Sequence, residues 1–329
     1  MKLAPVVLFV YRRDFKKTID SLLKNNLANQ TDLFIYSDGS KNDKDLDDVI
    51  IVRDSIKEIY GFKSVTSINS EKNKGLANSI IDGVTRTINE YGRVIVLEDD
   101  LIVSKDFLEY MNDALNYYNN DKMIWSISGF GPNLPCLHNY NKSLYLSPRA
   151  SSWGWASWKD QWNSVDWLAK DFDDLKKDLK LRGMFELGGN DMYKMLELQM
   201  LGKIDSWAIR WCFSQFLQNK YTVYPVKSKI INYGFYDNKG THTNNDNHRS
   251  ISKSSESENK FFIDNTEISF TKLEIDRNIA ICFKKYHDLK IITQFGFFFK
   301  KNGGYEFMYF FWSIFRRLLD NILKFFKYK

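Results

Sequence analysis

The chain has 329 residues, 43% hydrophobic and 16% aromatic, with a formal charge of +6. A chain of this length buries about 75% of its unfolded surface, and its apolar content excludes global disorder. Residues 300–329 hold seven Lys or Arg against two acids, so the tail carries +5 and the remainder only +1, which disfavours a nucleic-acid-binding body.

Three cysteines (Cys136, Cys212, Cys282) are widely spaced without a CxxC pair, as expected for a reducing compartment and buried thiols. The apolar run Val6–Val10 is too short for a signal peptide, and no stretch approaches the ~20 apolar residues of a membrane span. These features predict a cytoplasmic protein.

In chain order, Val6–Tyr11 reads as a first strand and Phe15–Lys24 as a helix with Phe15, Ile19, Leu22 and Leu23 on one face. Leu33–Tyr36 is a second strand running into Ser37-Asp38-Gly39-Ser40, and Asp45–Tyr60 a helix. Val65–Ile68 is a third strand, and Asn73-Lys74-Gly75-Leu76 leads into a helix from Ala77 to about Asn89. The apolar Val94–Leu97 then runs into Glu98-Asp99-Asp100, followed by Leu101-Ile102-Val103. A helix over Lys105–Tyr118 and a strand over Met123–Ser128 close this half. Strands alternating with helices imply a mostly parallel sheet covered by helices.

The acidic triplet carries the strongest chemical signal. Three adjacent carboxylates repel one another, so a positive group is expected beside them. At the carboxyl end of a buried α/β strand a ligand crevice is the expected setting. Mg²⁺ or Mn²⁺ on a substrate diphosphate fits such acids, since these cations take one or two carboxylates plus phosphate oxygens. The plainer alternative is an acidic turn facing water. Arg12, Arg13, Asp38 and Lys74 fall at the same strand ends. No GxGxxG or GxxxxGK[ST] is present, which disfavours dinucleotide oxidoreductases and P-loop enzymes.

Beyond residue 130 the composition changes. Trp153, Trp155, Trp158, Trp162 and Trp167, five of nine tryptophans, crowd into fifteen positions. Flat rings with a polar edge suit stacking on sugar C–H faces, although some must be core. Within Ser151-Ser152-Trp153-Gly154-Trp155, Gly154 permits close approach, making this the better binding candidate. Asp171–Leu181 reads as a charged helix and Asp191–Leu201 as a second, apolar one. In Ile204-Asp205-Ser206-Trp207, a carboxylate held beside an indole could have a raised pKa and accept a proton; the alternative is a structural Asp205–Arg210 ion pair. Tyr221–Pro225 and Lys229–Tyr233 read as short strands. Residues 237–260 contain one hydrophobic residue, Ile251, and suit a mobile loop or lid; there His242 is a candidate metal ligand. The last 34 residues put nine apolar side chains, Phe307 to Phe326, opposite Arg316, Arg317, Lys324 and Lys327. This basic amphipathic helix suits the inner leaflet of an anionic membrane; docking on protein is the competing reading. Three units are expected: residues 1–130, whose strand ends gather the bases, acids and glycines a nucleotide-diphosphate pocket needs, residues 131–295 with the polar loop, and the tail over 296–329.

With these residues in hand, the chain resembles the GT-A-fold glycosyltransferases, in particular the family that includes N-acetylglucosaminyltransferase I and bacterial surface-polysaccharide transferases with a Glu-Asp-Asp motif. The strongest stretch is VIVLEDDLIVSKDFLEYMNDA, residues 94–114. Weaker likeness runs through Val6–Arg13, Asp38, Asn73–Ile80, Trp153-Gly154-Trp155, Asp205-Ser206-Trp207 and Gly240-Thr241-His242. The resemblance implies a Rossmann-like α/β fold. It implies that Asp100 binds the metal, that Glu98 and Asp99 contact the nucleoside or sugar, that Asp38 hydrogen-bonds uracil, and that Arg13 touches the nucleotide. It implies that 131–295 is the acceptor-binding half, with Asp205 as general base on a saccharide or lipid-linked oligosaccharide acceptor and Trp153, Gly154, Trp155 and Trp207 as the candidate acceptor contacts. Ser206 stands where the family's best-known members have a second acid. The activity expected is an inverting, metal-dependent transfer from a UDP-sugar in polysaccharide assembly. A non-catalytic sugar- or nucleotide-binding protein on the same fold is the alternative; a nucleotidyltransferase is disfavoured because Tyr11-Arg12-Arg13 replaces a glycine-rich loop.

Overall fold

The computed structural model describes residues 3–234 and 267–287. Its first half alternates β1 (Val6–Val10), α1 (Lys16–Leu22), β2 (Asp32–Ser37), α2 (Asp43–Ile56), β3 (Ser64–Asn69), α3 (Leu76–Tyr91) and β4 (Arg93–Glu98). After a turn at Asp99-Asp100 come β5 (Leu101–Val103), α4 (Phe107–Tyr117), β6 (Ile124–Ser128), β7 (Leu144–Ser147) and β8 (Trp155–Trp158). The rest is α5 (Lys159–Asn163), α6 (Phe172–Lys177), α7 (Leu179–Phe185), α8 (Asp191–Met200), α9 (Trp207–Leu217), β9 (Tyr221–Pro225) and β10 (Ile230–Asn232), then a helix over residues 277–287.

Eight strands form one sheet in the order β3-β2-β1-β4-β8-β6-β9-β7, mostly parallel, with β8 and β7 antiparallel to their neighbours. Its centre, β1 beside β4, pairs Val6 with Ile95 and Leu8 with Leu97. Both strands are covered on both faces, which is why they read as unbroken apolar runs rather than alternations. Val6, Leu8 and Val10 join one apolar layer with residues of α1, α2 and α4; Val7 and Phe9 join the other with α3 and α5–α9. Strand order reverses direction between β1 and β4, so a crevice opens at their carboxyl ends.

The α/β architecture with its large, mostly parallel, helix-covered sheet matches the expectation. Strands from both sides of residue 130 share this sheet, because β8 inserts between β4 and β6. Four local differences have physical causes. The acidic triplet breaks the predicted run at Glu98, and Leu101–Val103 pairs instead with β10 in a separate ribbon. The charged segment 171–181 is two helices, because the Asp178 side chain accepts from Lys180 and Leu181 backbone N–H and starts a new one. The tryptophan-rich segment supplies a central strand, β8. Of the three thiols only Cys212 is buried; Cys136 is exposed and hydrogen-bonds with the half-buried Cys282. Among the described residues no helix is long and apolar enough to cross a membrane. The loop 237–260, its His242, and the tail helix fall outside the described residues.

Candidate active site

The strand ends at the switch point are tied together by backbone and carboxylate hydrogen bonds. The residues after β1 face the turn after β4: the Tyr11 N–H donates to Asp99 Oδ2 at 3.3 Å, and Arg13 Nη1 lies 2.7 Å from Asp100 Oδ2 and 3.7 Å from Asp99 Oδ1. Tyr233, just past β10, straps the turn. Its N–H donates to the Asp100 carbonyl (2.9 Å), and its hydroxyl reaches the carbonyls of Asp99 (2.9 Å) and Asp14 (3.1 Å). Gly234 follows so closely that a Cβ there would fall 2.2 Å from Asp100 Oδ2 and 2.6 Å from Arg13 Nη1. Any larger residue there would have to displace the Arg13–Asp100 pair.

The like-charge problem posed by the triplet is solved in two ways. Arg13, 8% exposed, is the positive group beside it. Desolvation, then the charges of Asp100 and Asp99, push the Glu98 carboxyl up to about 8 against the opposing pull of Arg13. Burial and the two neighbouring acids thus disfavour the ionised form of Glu98. Arg13 is itself taken up by these carboxylates, at 2.7 Å from Asp100 and 3.7 Å from Asp99.

Asp38 occupies the end of β2. Its Oδ1 accepts from the Gly39 and Lys74 N–H groups (both 2.9 Å), and its Oδ2 from Lys74 (3.1 Å) and Gly75 (3.0 Å). The carboxylate thus anchors the start of α3, where Gly75 (φ +77°) supplies no capping side chain of its own. From α2, Arg53 bridges the same loops, donating to the carbonyls of Asp38 (3.1 Å) and Ser70 (2.7 Å). Lys74 turns along α3 to pair with Asp82 at 3.0 Å.

Asp205 approaches this end from α9. Its Oδ2 lies 3.8 Å from the position of a Cβ on Gly75, and its Oδ1 lies 3.5 Å from Arg210 Nη2. The ion pair with Arg210 forms, and 58% of the Asp205 side chain is exposed. The indole of Trp207 does not cover it, being 3% exposed within the core. Ser206 caps α9 by accepting from the Ile209 N–H.

The tryptophan candidates divide. Trp155 (1% exposed) and Trp207 pack with Trp162 and Trp211 in one aromatic cluster, with Trp155 and Trp211 ring centroids 4.4 Å apart. They are core, because β8 is a central strand with both faces covered, and their expected contact with an acceptor is corrected accordingly. Gly154 does allow close approach, but of a side chain: a Cβ there would meet Ile230 Cδ1 at 1.9 Å. Trp153 is half-buried, edge-on to Phe130 at 4.8 Å.

Among the described residues no three His, Cys, Asp or Glu side chains converge as a metal cage. The donor chemistry of Asp100 nevertheless suits a hard cation that takes one protein carboxylate and completes its shell with phosphate and water oxygens. Sequence reading missed Tyr233 and Arg53. Neither sits in a motif, and each acts through backbone carbonyls, which leave no sequence pattern.

Residues 80–182, 103 of the 329, match the GNT-I family model. No curated protein sequence matches the chain. Among solved structures, a Bacillus anthracis protein described as a glucose-1-phosphate thymidylyltransferase, in complex with sucrose, is 13% identical over 82% of this chain and 100% of its own, with a TM-score of 0.36. Mouse xyloside xylosyltransferase 1 in its apo form is 9% identical over 64% of this chain and 80% of its own, with a TM-score of 0.33. A UDP-glucose pyrophosphorylase complexed with UDP-glucose is 10% identical over 68% of this chain and 90% of its own, at 0.32. Over residues 80–182 the chain resembles the GNT-I family, and that match supports a glycosyltransferase.

Proposed function

We propose that the protein transfers a sugar, with inversion, from a uridine diphosphate-sugar to a saccharide hydroxyl. The observation that most supports this reading is the convergence, at the carboxyl ends of β1, β2 and β4, of the Arg13-paired acidic turn and the Asp38-anchored start of α3, with the exposed Asp205 set against Gly75.

In this reading Asp205 accepts the proton of the acceptor hydroxyl, whose oxygen forms a bond to the anomeric carbon as the bond to the diphosphate oxygen breaks. A single displacement inverts the configuration. Arg210 holds the Asp205 carboxylate in place from the next turn of α9. The upward shift of Glu98 limits the negative charge that the acidic turn sets beside the incoming diphosphate. Asp100 is the residue that would hold Mn²⁺ or Mg²⁺, which when bound neutralises charge on the leaving diphosphate. Asp38 fixes the loop that walls the base-binding side, and a hydrogen bond to uracil would add to the four it already accepts. A lipid-linked oligosaccharide acceptor in polysaccharide assembly fits the basic amphipathic sequence of the tail.

The experiment is incubation with a panel of UDP-sugars and saccharide acceptors, with Mn²⁺ or chelator. Expected are metal-dependent UDP release and, by NMR, a product of inverted anomeric configuration. Tight UDP-sugar binding with no turnover on any acceptor or water would instead make this a binding protein.

A further inference from the structure

Farther along α3 than its crevice end lies a second concavity, a groove of about 540 Å³ between the outer face of α3 and the α5 region with the segment that follows it. Its floor is rigid. Trp162, 1% exposed, donates its Nε1–H to Thr85 Oγ1 at 2.8 Å, and Trp167 leans on it with ring centroids 4.8 Å apart. Trp167 is only half-buried. Around it stand the exposed Asp82, Arg86 and Asn89 of α3 and Asn163 of α5, with Asn163 Nδ2 donating to Asn89 Oδ1 at 2.8 Å.

Two bridges join this groove to Asp205. Arg210 donates from Nη1 to the Trp167 carbonyl (3.2 Å), from Nε to the Ser206 carbonyl (3.2 Å) and from Nη2 to Asp205 Oδ1 (3.5 Å). On the opposite wall Lys74, next to the Gly75 that faces Asp205, pairs with Asp82 at the groove's lip. The part of α3 that lines the groove, from Ile81 to Asn89, runs ~12 Å at 1.5 Å per residue, enough for a short oligosaccharide.

We infer that this groove is an extended acceptor subsite, which binds an uncharged oligosaccharide and leads its terminal sugar to Asp205. The inference rests on the transferase reading for its direction, though not for the groove's chemistry. A half-exposed indole backed by a second ring presents a fixed flat face to sugar C–H groups. The amides of Asn89 and Asn163 and the fork of Arg86 offer paired donors and acceptors to neighbouring hydroxyls. Lys74 neutralises Asp82, which leaves Arg86 as one positive charge on the walls, too little to demand a polyanion.

The test is titration of the full-length protein with neutral di-, tri- and tetrasaccharides of gluco and galacto configuration. At least one should bind. Its affinity should fall at least tenfold in Trp167→Ala, which removes the platform, and in Asn163→Trp, which fills the groove from an exposed position without disturbing the core. Failure of every saccharide to bind overturns the inference, as does undiminished affinity in both variants. A parallel titration with UDP-sugar and Mn²⁺ keeps the two readings apart. Saccharide binding without donor binding preserves the groove and removes the transferase assignment. Donor binding with no groove-dependent saccharide binding does the reverse.

Discussion

The two carboxylate sites at this pole are built by opposite means. The Glu98–Asp100 turn is held on every side, by Arg13, the Tyr11 N–H, Thr18 and the Tyr233 strap, and the side chains of Asp99 and Asp100 are 16% and 19% exposed. Asp205, at 58%, makes one long ion pair and otherwise faces solvent. Close-set acids at a strand end require the fold itself to supply counter-charge. A single acid that must meet a mobile acceptor can stand almost alone. Stability should therefore be concentrated at the first site and separable from function at the second.

The largest effect expected is from Arg13→Ala. Removing one partner of a buried charge cluster leaves the others uncompensated and costs about 3–5 kcal/mol. Denaturant unfolding should show that loss, whereas Asp205→Ala should cost no more than ~1 kcal/mol, as an exposed pair does. Equal losses at both sites would erase the contrast.

Asp205→Asn comes next, and it acts on rate. Transfer should fall at least ~10²-fold, as on loss of a general base, while UDP-sugar affinity by calorimetry stays near the wild-type value. Near wild-type transfer would leave Asp205 a structural residue.

The same contrast explains what was legible in the sequence. β1 and β4 are covered on both faces, so their apolar runs announced a buried parallel sheet, and charged residues after each run announced the pole. Arg13 was legible because a basic residue and an acidic turn follow adjacent strands. Trp155 and Trp207 were misplaced as acceptor contacts because composition cannot tell a stacking platform from an aromatic core. Only the insertion of β8 between β4 and β6, a long-range pairing, decides it. The structural role of Asp38 was not legible. Its four backbone hydrogen bonds come from residues one position and 36–37 positions away, and the distant pairings carry no local signal.

A third experiment asks whether the acidic turn depends on its strap. Gly154 sits at φ +54°, with Ile230 of β10 against it, and β10 continues directly into Tyr233 and Gly234. Gly154→Ala should cost about 2–4 kcal/mol, combining overpacking with a left-handed backbone, and should weaken UDP-sugar binding by shifting the strap. Gly92→Ala is the control. Gly92 has φ +81° with nothing within 4 Å of the added Cβ, so only the backbone penalty of about 1 kcal/mol applies. Equal costs would mean that Ile230 yields without moving β10.

The smallest expected effect is a pH dependence confined to the framework behind Asp205. Arg149 grips Asp191 at the start of α8 with two hydrogen bonds, at 2.6 and 2.8 Å, and α8 packs on α9, which carries Asp205. Burial alone would raise the Asp191 carboxyl. The hydrogen bonds and charge of Arg149 outweigh it, and the net shift is downward. A carboxyl lowered in the folded state stabilises the fold above its unfolded value of about 3.9, and that contribution fades as pH falls through the lower folded value. Unfolding midpoints measured from pH 6 to pH 2 should therefore drop less steeply below about pH 4 in Asp191→Asn than in the wild type, from a lower starting stability. Parallel curves would show that the pair does not set the acid response, and that α8 and α9 are held by their apolar faces alone.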